Sequence, residues 1–307
     1  VSPKNSWMNG RLVPWADSTI HISTEAVLRG GAVFEGIRVY RSRDDELVLF
    51  RLDDHMRRLY QTSLRFLQMP LAYKPAELAQ GIAALLEADG VASDAHIRVV
   101  VYYEELTPGR ERETETGAFI IVREGLAMSD GATRASLSPW RRMSDVATPP
   151  RVKASANYLN SRVAITDAQR KGFDTAIMLN DRGKVSEGPT MNLFLVRDGS
   201  LITPRVTDGI LEGITRATVI DLADQLGIPL AEREIDPSEL FIADEVFFCG
   251  TAYEVEPVIE IDGYVVGDGE AGPITTRIRD SYFAIARGET SAPTGWITPV
   301  RDLMVAR

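Results

Sequence analysis

The sequence predicts an α+β protein of two domains, and three observations carry that prediction. A chain of 307 residues has room for two domains or one large one. Its first third mixes strand-like runs with helical spacing. A stretch rich in glycine and proline then separates this unit from a second series of strands and helices.

The strand-like runs of the first unit are ELVLFRL, AHIRVVVYYEEL and GAFIIVREGL, β-branched and aromatic segments bounded by polar or glycine-containing turns. Between them, Met56, Leu59, Tyr60, Leu64 and Leu67 recur at helical spacing over Asp53 to Leu67. A second helix is expected from about Pro75 to Ala88. Residues 1–123 are expected to form a small N-terminal α+β domain, 124–136 an interdomain loop and 137–307 a larger C-terminal domain. Gly125, Ser129, Gly131, Pro139, Pro149 and Pro150 mark the break, where a linker is followed by a strand and a loop. Beyond it, Tyr158 to Lys171 reads as a helix stopped at Gly172, and DTAIMLN, KVSEG and NLFLVRDGSLITP read as consecutive strands around the turn DRG. Thr215 to Leu226 reads as an amphipathic helix with Val219, Leu222, Ala223 and Leu226 on one face and Gly227 after its end. DEVFFCG reads as a short buried strand.

Composition narrows the function. Apolar residues make up 44%, enough to build a core without covalent staples. One cysteine, Cys249, excludes an intramolecular disulfide, and the scattered His21, His55 and His96 offer no metal-ligand spacing, so no metal site is expected. A formal charge of -10 argues against general nucleic-acid binding. No apolar run approaches bilayer-spanning length and VSPKNSWMNGRLVPW lacks a signal-peptide pattern, so a soluble cytoplasmic protein without membrane partners is expected.

The chemistry is concentrated in a few residues. Lys153, in PPRVKASANYLN, is one of five lysines among 34 basic residues. An ε-amine can lose its proton when desolvated and condense with a carbonyl, which a guanidinium cannot do. A solvated loop lysine is the ordinary alternative. Lys4, Lys74, Lys171 and Lys184 read that way, and for Lys153 local context leaves both readings open. Glu187, in KVSEGPTMNLF, is placed after a hairpin and before an apolar strand, where a partly buried carboxylate needs a partner. GITRAT opens a helix, so the amides and hydroxyls of Thr215 and Thr218 lie near the positive end of its dipole. Arg58 in DDHMRRL and Thr251 in CGTAYEVEP are further candidates, although a solvated arginine and a plain turn would explain them individually. Together, a lysine amine, a carboxylate, a helix N-terminus and an arginine are what pyridoxal phosphate requires of a protein.

The segments GGAVFEGIRVY, DDHMRRL, KASANYLN, SEGPTMNLF, LEGITRATVIDLADQLGI and DEVFFCGTAYEVEPV, in this order over nearly the whole chain, resemble the signatures of the fold type IV pyridoxal-phosphate enzymes, closest to branched-chain amino-acid aminotransferases. The resemblance implies a two-domain fold of the D-amino-acid aminotransferase-like architecture, its larger domain barrel-like, with the cofactor in the interdomain cleft and a homodimer or higher homo-oligomer as the assembly. It implies that Lys153 forms the Schiff base and shuttles the substrate proton. By the same resemblance Glu187 pairs with the pyridine nitrogen, Tyr158 binds the 3′ oxygen, and Arg58, Ile214, Thr215 and Thr251 hold the phosphate. Phe34, Gly36, Arg98 and Ala252 fall at substrate positions.

This chain departs from the pattern on the substrate side. Positions 29 and 96, commonly tyrosine in the family, are Arg29 and His96, and REGLAMSDG replaces the expected aromatic residues of the interdomain loop. Arg29 and Arg98, with His96, are accordingly expected to bind a substrate α-carboxylate. The implied reaction is transamination between an amino acid, branched-chain L-amino acid or L-glutamate first, and a 2-oxo acid. A D-amino-acid or (R)-amine transaminase is the alternative, an aminodeoxychorismate lyase-like enzyme a more distant one, and a non-catalytic binder with a decayed site a third class.

Overall fold

The computed structural model of the protein describes residues 3–106, 114–125 and 131–304. Fifteen strands form among the described residues. In chain order they are β1 (Asn5–Met8), β2 (Arg11–Pro14), β3 (Ala32–Arg41), β4 (Leu47–Phe50), β5 (Ala95–Tyr103), β6 (Thr116–Glu124), β7 (Thr133–Leu137), β8 (Thr175–Ile177), β9 (Asn192–Arg197), β10 (Ser200–Thr203), β11 (Leu230–Glu232), β12 (Glu245–Gly250), β13 (Glu254–Ile261), β14 (Tyr264–Val265) and β15 (Ile297–Pro299). The chain divides into two compact units, Val1–Leu126 with Val152–Ala156 and Ala284–Arg307, and Ala127–Arg151 with Asn157–Phe283.

The first unit is built on an antiparallel sheet ordered β15-β4-β3-β5-β6-β1-β2. Helix Pro75–Asp89 lays Leu78, Ile82, Leu85 and Leu86 into the core, the i, i+4, i+7, i+8 stripe of an amphipathic helix. Its start is set by Pro75 at the first position and by the Glu77 carboxylate, which accepts from the Lys74 amide at 2.8 Å; Gly90, at φ 69°, ends it. The helix expected over Asp53 to Leu67 is found as Leu52–Arg58, a widened π turn at Leu59–Leu64 and a last turn at Arg65–Leu67. Spacing alone does not reveal such a turn, because one inserted residue leaves Leu59 and Leu64 facing the core. The C-terminal segment returns to this unit, since β15 pairs with β4 and the Trp296 ring meets Phe50 edge-on at 5.9 Å.

The second unit carries a sheet ordered β11-β10-β9-β12-β13-β7-β8, with β14 on β13. The pairs β10/β11, β13/β7 and β7/β8 are parallel and the others antiparallel. The implied barrel-like sheet takes the form of this ladder, and among the described residues no pairing joins β11 to β8. Leu193, Leu195, Val246, Phe248 and Val258 fill one side of it. Phe194 and Phe247, one residue out of phase, stack on the other with centroids 5.1 Å apart. KVSEG, expected as a strand, contributes only the isolated bridge Leu179↔Val185. Its backbone still bonds across the turn, Ser186 N to Met178 O and Met178 N to Glu187 O at 2.9 Å each. Burial in an irregular segment directs the Glu187 side chain to neighbours that a regular strand would not offer it.

Candidate active site

Lys153 is held against the sheet of the first unit. Its carbonyl accepts from the Phe34 amide at 3.0 Å, its amide donates to Ser63 Oγ at 3.3 Å, and Ala154 bridges to Val33. Ser63 lies in the π turn, so this irregular turn anchors the lysine backbone. The lysine Nζ stands 5.0 Å from the centroid of the Phe34 ring, and the Arg98 guanidinium carbon stands 4.6 Å from the same centroid.

The register of β3 with β5 explains what shares that surface. Gly36 is opposite Arg98 and Arg38 opposite His96, so these four side-chain positions, with Phe34, project from one face. Gly36 makes room there: a β-carbon would stand 2.8 Å from His96 Nε2, so the imidazole would have to shift. Burial, then the charges of Arg38, Arg98 and Lys153, with a smaller effect of His55, hold the His96 imidazole down to about 3, against an ordinary value of 6.5. His96 is therefore neutral at working pH, and the positive charge on this face comes from the two arginines and the lysine.

Arg29 is oriented differently. It ends the short helix Glu25–Arg29, pairs with Glu25 one turn back and keeps 65% of its side chain exposed. Helical i, i+4 geometry makes Glu25 its nearest anion.

On the opposite face of β3, Arg58 Nε and Nη2 donate to the two oxygens of Glu35, each at 2.8 Å, and His55 Nδ1 lies 2.8 Å from Glu35 Oε2. Burial alone would raise the Glu35 carboxyl, but the charge and hydrogen bonds of Arg58, helped by His55, hold it down to about 2. Burial likewise pushes the His55 imidazole below its ordinary range, outweighing the pull of Glu35. The consistent assignment is a Glu35 carboxylate accepting from Arg58 and from a neutral imidazole.

Glu35 and His96 together give folding a pH dependence. Both groups have folded values below their unfolded ones, so each contributes full stability above its unfolded value and loses it on acidification. For His96 the loss runs from 6.5 down to about 3, and for Glu35 from 4.5 down to about 2. Each group contributes a slope of up to about 1.4 kcal/mol per pH unit. His55 is lowered as well, so two imidazoles cost stability between pH 6.5 and 5, and His96 alone should account for about 1–2 kcal/mol of the loss seen in urea melts. His96→Phe should remove that share and leave the part due to His55, and an unchanged slope would reject the assignment.

In the second unit the Glu187 carboxylate is 3% exposed and fully engaged. Arg142 Nη2 lies 2.7 Å from one oxygen, while Asn192 Nδ2 at 2.8 Å and the Leu211 amide at 3.1 Å donate to the other. Arg142 reaches it because its amide bonds the Leu179 carbonyl at 2.8 Å, carrying the chain alongside Ile177–Leu179. Asn192 also donates to the Leu211 carbonyl at 3.0 Å and lies against Gly213, where any β-carbon would fall on Asn192 Oδ1. Gly213 in turn caps helix Ile214–Gln225, so the Glu187 cluster and the first-turn residues Ile214 and Thr215, both buried, are mechanically joined.

Tyr158 opens helix Tyr158–Arg170, half-buried, and Ser161 one turn on donates to the Pro189 carbonyl, two residues from Glu187. Thr251 and Ala252 form the half-buried turn between β12 and β13, which follows Gly250 beside Thr190 and Met191. Thr218 is fully buried and donates to the Ile214 carbonyl at 3.0 Å, a bond within its own helix. Cys249 is buried, which pushes its thiol up and leaves it unreactive. Residues 126–130 of the REGLAMSDG stretch lie outside the described residues. Glu35, His55, Arg38, Arg142 and Asn192 were not singled out from sequence. For Arg38 a signal existed, since strand alternation from Phe34 and Gly36 leads to it.

The amino-transferase class IV family matches residues 32–261. The chain is 40% identical over 303 residues, 97% of each chain, to a probable branched-chain-amino-acid aminotransferase of Aquifex aeolicus. It superposes with a TM-score of 0.92 on the branched-chain aminotransferase of Thermoproteus uzoniensis solved with norvaline, at 40% identity, covering 97% of this chain and 100% of that one. A TM-score of 0.90 relates it to the PLP-form of the branched-chain amino acid aminotransferase of Thermobaculum terrenum, at 40% identity over 97% and 98% of the two chains. The chain belongs to the class IV aminotransferases, and it is a pyridoxal-phosphate-dependent enzyme. Within that family its similarity is to branched-chain aminotransferases over nearly the whole length. Among the described residues no helix is long and apolar enough to cross a membrane, and no cluster of metal-ligating side chains occurs.

Proposed function

We propose that this protein moves an amino group between a branched-chain L-amino acid or L-glutamate and a 2-oxo acid, with pyridoxal phosphate carried on Lys153. The observation that carries this reading is the juxtaposition of a lysine amine with Arg38, Arg98 and neutral His96 around Phe34, which supplies amine chemistry beside cations suited to a carboxylate. The residues present fit the cofactor. Lys153 offers the amine, Glu187 a buried carboxylate paired with Arg142, the Gly213-capped helix its N-terminal amides, and Arg58 a guanidinium.

When bound, pyridoxal phosphate supplies an aldehyde for imine exchange and a ring that accepts electron density from the substrate Cα. Lys153 would anchor the ring, and its amine would hold and move the proton at the substrate Cα. Glu187 presents its anion to the ring nitrogen, and Tyr158 its hydroxyl to the ring oxygen. Arg58, Ile214, Thr215 and Thr251 bind the phosphate. Phe34, Gly36 and Ala252 shape the substrate side, where Arg38 and Arg98 take the carboxylate and His96 lends a neutral hydrogen-bonding ring. The Glu25 partnership of Arg29 supports leaving that residue a peripheral part. Homodimeric assembly rests on the resemblance alone.

A second reading, transamination of D-amino acids or (R)-amines, is favoured by arginine and histidine at positions 29 and 96. A half-reaction screen separates the two. Addition of L-leucine or L-glutamate to the holoenzyme should convert it spectroscopically to the pyridoxamine form, whereas D-alanine, D-glutamate and (R)-1-phenylethylamine should not. Conversion by the latter three alone would replace the first reading with the second, and repeated turnovers of pyruvate from aminodeoxychorismate, with no amino acceptor, would indicate a lyase.

A further inference from the structure

Glu35 occupies a position where an apolar residue would be ordinary. It projects between Val33 and Ile37 toward the core of the first unit and is 0% exposed, while His55 and Arg58 are 2% and 9% exposed. Both partners stand on helix Leu52–Arg58, three residues apart, so one turn grips one carboxylate. A buried ion pair is weak evidence for stability, because desolvation offsets much of its attraction. A geometric role explains its presence better. Two parallel N–H···O bonds fix the plane of a guanidinium, which a single bond cannot do. His55, donating to the same carboxylate, restrains the other end of the arrangement.

We propose that Glu35 is a positioning residue for the cofactor phosphate, acting by orienting Arg58. The inference rests on the phosphate-binding role proposed for Arg58, and it has a distinctive sign. By charge alone, Glu35 would weaken the attraction of Arg58 for a dianion, and removing it would tighten phosphate binding. By orientation, removing it loosens that binding.

The test is absorbance titration of the full chain, freed of cofactor, with pyridoxal phosphate and with pyridoxal, which lacks the phosphate. For Glu35→Gln the expected result is a loss of at least about tenfold in affinity for pyridoxal phosphate, with pyridoxal unchanged; outer-shell partners of metal ligands are of this size. Arg58→Ala should lose the same discrimination, and adding Glu35→Gln to it should cost nothing more. Unchanged or tighter pyridoxal phosphate binding by Glu35→Gln, or equal losses for both ligands, would overturn the proposal. An Arg58→Ala variant that still discriminates would instead remove the phosphate role of Arg58. Should Glu35→Gln not fold, Glu35→Asp is measured by the same titrations: a loss confined to pyridoxal phosphate supports positioning, and wild-type affinity for both ligands refutes it.

Discussion

Lys153→Arg is expected to abolish transamination while leaving the protein folded. Arginine preserves the positive charge over the Phe34 ring, a contact worth about 0.5–1 kcal/mol at an exposed site, so stability should change little. It also preserves the lysine's share, smaller than that of burial and of the two arginines, in holding the His96 imidazole down. What it removes is an amine able to form an imine and to carry a proton at neutral pH. Proton transfer by a positioned group contributes about 10²–10⁴-fold, and the covalent anchor is lost as well, so kcat should fall by at least about 10³-fold. Lys153→Ala should be equally inactive, because the requirement is for the amine and not for the charge. Steady-state kinetics and a thermal melt of both variants, with borohydride trapping and peptide mapping of the wild type, check this. An arginine variant retaining a tenth of the activity would show that Lys153 acts only as a cation.

What the sequence made legible divides along a physical line. Features that depend on neighbours in the chain could be read: the stripe of helix Pro75–Asp89, the glycine before helix Ile214–Gln225, and the strand runs at Leu47–Phe50, Ala95–Tyr103 and Thr116–Glu124. Features that depend on distant partners could not. Glu35 and its two partners are separated by 20 and 23 residues, and only the pairing of the fold makes a charge tolerable on the core side of β3. Arg142 comes from a proline-flanked irregular segment with no period to say where its side chain points, yet it supplies the cation on Glu187. Arg29 is singled out because it stands where the family commonly has tyrosine, and the structure records the pair its guanidinium makes with Glu25 one helical turn back. The candidate residues themselves are marked by their motifs, and the structure adds the partners they pair with.

Glu187→Gln should damage both stability and turnover, and the two losses can be separated. Arg142 is 8% exposed, so removing the negative charge leaves a buried cation without its counter-ion, a change that costs about 3–5 kcal/mol. Asn192 and the Leu211 amide can still donate to the glutamine oxygen, which holds the local geometry together. The second loss follows from the proposed role: glutamine cannot present an anion to the ring nitrogen, and loss of one such preorganised electrostatic contact lowers kcat by about 10²–10³-fold. Pairing the change with Arg142→Met removes both buried charges at once. Replacing a buried ion pair by apolar groups is often neutral or stabilising. The double variant should therefore recover most of the lost melting temperature and none of the lost activity. Should activity return with stability, Glu187 would be a structural anion for Arg142 alone, and the electronic role assigned to it would fall.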